Sequence, residues 1–170
     1  MPDTFTLIAS STVGAGGAAS IDFTSIPSTY TDLCVKISWR HSGNINTGSD
    51  AKWTINSSTS SYSIRILYGT GSSTGSASAA DNFGLYINPS NATASTFANC
   101  ELYIPNYASA NYKSLSIDSV TENNATAVYT AMTAGLWSNT SAITGLKFAD
   151  YYGNTLVQYS TAYLYGVKNA

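Results

Sequence analysis

Charge is scarce in this chain. Only 9% of its 170 residues are Asp, Glu, Lys or Arg, far below the roughly 25% of ordinary soluble domains. The seven cationic residues stand singly from Lys36 to Lys168 and the formal charge is -2. No basic field exists to hold phosphate, so direct nucleic-acid binding is not expected. One histidine, His41, and two cysteines, Cys34 and Cys100, with no Cys-x-x-Cys pair, leave no zinc site of the usual ligand spacing. No metal and no cofactor is expected, and His41 reads as a polar residue at a strand end. Cys34 and Cys100 could bridge only if strands far apart in sequence were neighbours, and packed free thiols are the expectation.

Other absences narrow the chemistry further. There is no Gly-x-Ser-x-Gly elbow to aim a serine nucleophile. The nine carboxylates (Asp3, Asp22, Asp32, Asp50, Asp81, Glu101, Asp118, Glu122 and Asp150) form no dense local cluster and read as turn caps and solvated strand ends. A glycosidase pair assembled from distant strands is the one enzymatic arrangement this leaves open, and the chain is expected not to be an enzyme. No apolar run approaches the 18 residues of a membrane span, and "MPDTFTLIAS" has neither a basic n-region nor a long apolar h-region. Synthesis in a cytoplasm and no membrane partner are therefore expected.

What is present is β-forming. Hydrophobic residues make up 44%, with thirteen Tyr, five Phe and three Trp, and Ser plus Thr supply about a quarter of the chain. Thr, Val, Ile and Tyr favour strands, and this aromatic content rules out a disordered chain. In "DLCVKISWRH", Leu33, Val35, Ile37 and Trp39 alternate with Cys34, Lys36, Ser38 and Arg40, which predicts one core face and one outer face. Pro27, with its fixed φ and missing N–H, marks a corner just before that strand.

"TFTLIASSTV" and "AASIDF" are strand candidates joined by "GAGG" and are expected to form a first hairpin. Further strands are predicted at "AKWTIN", "YSIRILYG", "FGLYIN", "NCELYIPNY", "KSLSIDSV", "ATAVYTAMTAGLWS", "ITGLKFAD" and "TLVQYSTAYLYGVK". The run "GTGSSTGSASAAD", residues 69–81, has small side chains that cannot repay the entropy of ordering and reads as a flexible loop. Ten or eleven short strands with no crossover helix predict one all-β domain over residues 1–170, an antiparallel β-sandwich of jelly-roll type.

Tyrosine is the remaining candidate for recognition. "LYIPNYASANYKS" holds Tyr103, Tyr107 and Tyr112, and the last strand places Tyr163 and Tyr165 on the face opposite Leu164. Such rings either pack in the sandwich or serve an outer contact surface. Tyr107, Tyr112, Tyr163 and Tyr165 are the interface candidates.

The opening "TFTLIASSTVGAGGAASIDFTSIPSTYTDLCVKIS" resembles the N-terminal region of small virion structural proteins of tailed bacteriophages, and the closing "STAYLYGVKNA" is similar to their ends. The likeness covers about the first 40 residues and the last dozen and carries no catalytic residues. It implies a place in the virion, as a capsid cement or decoration protein or in a tail fibre. The leading expectation is a homotrimeric cement protein that binds the major capsid protein of the assembled shell. The alternative is a tail-fibre or receptor-binding module that stacks exposed rings on host glycans.

Overall fold

Strict alternation of apolar and polar residues sends one set of side chains to each face of a strand, and a chain with no helix must then bury its apolar faces against one another. The computed structural model describes residues 4–44, 49–124 and 128–168. Among them are twelve strands and no helix: β1 (Phe5–Thr12), β2 (Ile21–Phe23), β3 (Asp32–Trp39), β4 (Ser49–Ile55), β5 (Tyr62–Gly69), β6 (Thr74–Ala79), β7 (Leu85–Ile87), β8 (Ala98–Ile104), β9 (Lys113–Val120), β10 (Thr130–Trp137), β11 (Leu146–Asp150) and β12 (Thr161–Val167). The strand foreseen over 125–138 begins at Thr130, and residues 125–127 lie outside the described residues.

Two antiparallel sheets pack together as a β-sandwich. The larger has the order β1-β12-β3-β8-β9-β10-β5-β6 and the smaller β2-β11-β4-β7. Neighbours in chain order cross between the layers: β1 and β2, β3 and β4, β7 and β8, and β11 and β12 each lie in opposite sheets. The alternation in β3 is realised, with Leu33, Val35, Ile37 and Trp39 all buried in the core.

Two expectations are corrected. The first is the hairpin of β1 and β2, which do not pair. The turn at 14–17, closed by Gly17 N–H donating to Gly14 C=O (3.0 Å), carries the chain from one layer to the other. β1 then pairs β12, while Ile21 and Phe23 of β2 face the core beside β11.

The second is the loop at 69–81, where residues 74–79 form β6, paired along β5 with Leu67 opposite Ser76. The small side chains contribute little, but the backbone ladder does not need them, and the Tyr68 ring lies where any side chain at Gly75 would go.

The corner at Pro27 is fixed by Tyr107, whose hydroxyl donates to the Pro27 carbonyl. Tyr107 is fully buried, so this interface candidate belongs to the core. Its backbone carbonyl also accepts from Ile143 N–H (3.0 Å), which draws the 105–112 segment inward. Cys34 and Cys100 are free and buried. Register sets Cys34 opposite Tyr103 and Cys100 opposite Ile37, so the two thiols point to opposite faces of the sheet. Burial pushes each up to about 11.

Two predictions follow from this packing. The thiolate is the reactive form, so at pH 8 an aromatic disulfide reagent should leave the native protein unlabelled and modify both cysteines in denaturant. Gly166 of β12 lies under the Tyr30 ring, which fills the place of a side chain. The substitution Gly166→Ala should therefore lower unfolding free energy by about 1–3 kcal/mol through overpacking, read from urea unfolding curves.

Candidate functional site

The outer face of the eight-stranded sheet is where sequence parity and exposure disagree. In β5, Ile64 and Ile66 are buried while Arg65 and Leu67 point outward. In β10, Ala131, Thr133 and Trp137 are buried and Met132 is turned out. Leu67 and Met132 are register partners and each is 65% exposed. Two large apolar side chains thus sit side by side in solvent, a placement that folding alone does not reward.

Register extends this pair into a row. Tyr163, Lys36, Glu101, Asp118, Met132 and Leu67 lie next to one another on β12, β3, β8, β9, β10 and β5. Lys36 Nζ donates to Glu101 Oε2 at 2.6 Å, and that bond, with the nearby carboxylate charge, raises the Lys36 pKa. A second row brings Tyr165, Cys34 and Tyr103 together, and the two rings flank the thiol, which is only 1% exposed. Tyr103 donates to Asp32 Oδ2 (2.6 Å), and this bond, ahead of burial, pushes its phenol up to about 12.

A groove of about 750 Å³ opens over β9, β10, β5 and β6, lined among others by Arg65, Leu67, Ser76, Asp118, Met132 and Ala134. Arg65 and Asp118 form no ion pair with any described residue. Eight strands span seven spacings of about 4.8 Å and, at roughly 25 Å in length, give a face of about 800 Å². That is the area one partner contributes to a standard protein–protein interface.

The tyrosines distribute unevenly over this surface. Tyr163 is exposed and Tyr165 is half-buried, edge-on to Phe5 at 6.4 Å. Tyr112 is exposed just before β9, so β3 and β8 separate it from β12 and the three rings make no single cluster. Leu67, Met132, Arg65 and Asp118 were not foreseen. The available signal was an apolar residue at the polar parity of an otherwise alternating strand.

Catalytic machinery is not assembled on this face. His41 is fully buried beyond the end of β3, so no imidazole reaches the groove serines. No group of three or more His, Cys, Asp or Glu among the described residues could hold a metal ion. Several carboxylates cap turns: Asp32 accepts from Asn106 N–H, Asp81 from Asn82 N–H and Glu122 from Asn124 N–H. Arg40, expected on the outer face of β3, is a staple. Its guanidinium donates to the carbonyls of Ser90, Ala92, Thr93 and Thr96 at 2.8–2.9 Å and pins that loop.

No protein-family model matches the chain, and no curated protein is significantly similar to it in sequence.

If Leu67 and Met132 serve contact and not folding, replacing each by threonine, which keeps strand propensity, should change unfolding free energy by less than about 0.5 kcal/mol. Chemical denaturation of the two single variants and the double variant measures this.

Proposed function

We propose that this chain is a structural protein of a tailed-bacteriophage virion, a cement or decoration protein that binds the major capsid protein of the assembled shell and acts by adhesion, not catalysis. The observation that carries the reading is the exposed Leu67–Met132 pair in a groove on a broad, sparsely charged sheet face. A surface with few charges loses little solvation when covered, and its area suits one protein partner. The stretches that resemble phage virion proteins also support it, because β1, β12 and β3 are neighbours in one sheet.

The strand order supports a finer description of the fold. The set β1-β12-β3-β8 facing β2-β11-β4-β7 follows the winding of an eight-stranded jelly roll. The hairpins β5-β6 and β9-β10 are inserts that lengthen one sheet and form the groove. Jelly rolls are frequent in viral capsid proteins, which supports the reading by analogy of fold.

The homotrimer and the virion location are part of the same proposal. A protein that binds only the assembled shell stabilises it by mass action, about 4 kcal/mol per site at roughly 1,000 times its dissociation constant. The exposed rings of Tyr112 and Tyr163 favour the second reading, a tail-fibre module for host glycans.

Particles stripped of this protein should rupture at lower temperature and under milder osmotic shock. Adding back the wild type should restore resistance, whereas the Leu67→Asp, Met132→Asp double variant should not. Unchanged rupture after stripping, together with binding of the free protein to host surface glycans, would favour the second reading.

A further inference from the structure

The chain's single histidine faces a carboxylate in a site with no exposure at all. His41 Nε2 lies 3.9 Å from Asp150 Oδ1, and both side chains are fully buried. Neither atom has a hydrogen-bond partner. On the other side of the ring, Nδ1 accepts from Gly43 N–H at 3.0 Å. An accepting Nδ1 means a neutral imidazole with its proton on Nε2.

Around this pair three segments meet at one end of the sandwich. His41 N–H donates to Asn88 C=O (3.0 Å), Ser42 N–H to Thr155 C=O (2.9 Å) and Ser90 N–H to Gly43 C=O (2.9 Å). Asp150 Oδ2 accepts from Tyr152 N–H (3.0 Å), Asn154 N–H (2.8 Å) and Asn154 Nδ2 (2.9 Å), which shapes the 150–154 turn. The Asn154 side chain fits against Gly43, where no side chain intervenes. The same turn presents Tyr151 and Tyr152, both exposed, with their rings edge-on at 5.3 Å.

We propose that His41 and Asp150 form a proton-operated latch on this rim. A second proton on the imidazole makes Nδ1 a donor, which can no longer accept from Gly43 N–H, so the 41–43 segment parts from the turn that carries Tyr151 and Tyr152.

The electrostatics set the sign. Burial, the largest influence, and the neighbouring Arg40 charge disfavour the imidazolium, Asp150 favours it, and the net effect lowers the His41 pKa. Asp50 enters through Asp150: burial and the Asp150 charge raise its carboxyl pKa. A base whose pKa is lower when closed than when open binds fewer protons in the closed form. The closed rim is therefore fully favoured above the ordinary histidine range and loses that advantage as pH falls through it.

The test is a nuclear magnetic resonance titration of the intact protein from pH 8 to pH 4.5, following the His41 ring and hydrogen exchange at Gly43, Tyr152 and Asn154. The ring should titrate below its ordinary midpoint, and the protection factor of Gly43 should fall at least tenfold with the same midpoint. The variant His41→Asn, which keeps a side-chain oxygen to accept from Gly43 N–H, should hold that amide protected throughout. Protonation of His41 with Gly43 protection unchanged would mean that the imidazolium simply closes on Asp150, and would overturn the latch. So would an identical loss of protection in His41→Asn, which would assign the transition to a group other than His41. Should that variant not fold, coincidence or separation of the two wild-type midpoints decides.

Discussion

Across the gap between the sheets, the backbone of a single residue is held from three strands at once. Tyr86 N–H donates to Ser119 Oγ of β9, and its carbonyl accepts from the Trp39 indole of β3 (2.9 Å) and from the Cys100 thiol of β8 (3.2 Å). β7 has only three residues and pairs with β4 alone, so without these side chains the N–H and C=O of Tyr86 would be buried without partners, at a cost of about 1–3 kcal/mol each. Side chains from the facing sheet supply those partners. The clasp seats β7 over the larger sheet, and the segment before it follows, with Thr133 Oγ1 donating to the Gly84 carbonyl and the Trp53 indole to the Phe83 carbonyl. The inner side of β9, β10 and β5 is thereby covered, and only their outer side remains open to solvent.

That division explains why the wide face is the candidate site. Its charged residues are few and of both signs, so it repels neither a sparsely charged partner nor one carrying mixed charge. The Lys36–Glu101 pair is exposed on both sides, and exposed pairs of this kind contribute at most about 1 kcal/mol to folding. Leu67 and Met132 leave most of their apolar surface in solvent where they stand.

Much of this was legible in the chain. The parity of Leu33, Val35, Ile37 and Trp39 marked a core strand, and many short strands with no helix to cross between parallel neighbours pointed to an antiparallel sandwich. β6 was not legible, because Thr74 to Ala79 carry almost no apolar signal and become a strand through the ladder with β5 and the Tyr68 ring over Gly75. Tyr107 was misread because the spacing of Tyr103, Tyr107 and Tyr112 says nothing of the turn that carries the middle ring inward. The meeting of His41 with Asp150 depends on where β3 and β11 end, which no local pattern encodes.

The pairing of β1 with β12 joins the two extremes of the described chain, Phe5 opposite Val167 and Thr12 opposite Thr161. On the ribosome, β1 must wait with Ile8 and Ala9, which pack against the core in the folded protein, uncovered until nearly every other strand has been made. Contacts of such long sequence separation make for slow closure, and a waiting apolar edge is open to pairing with another nascent copy. The bulge between Leu7 and Ala9 interrupts a flat run of edge backbone at that point, a device that discourages such mispairing.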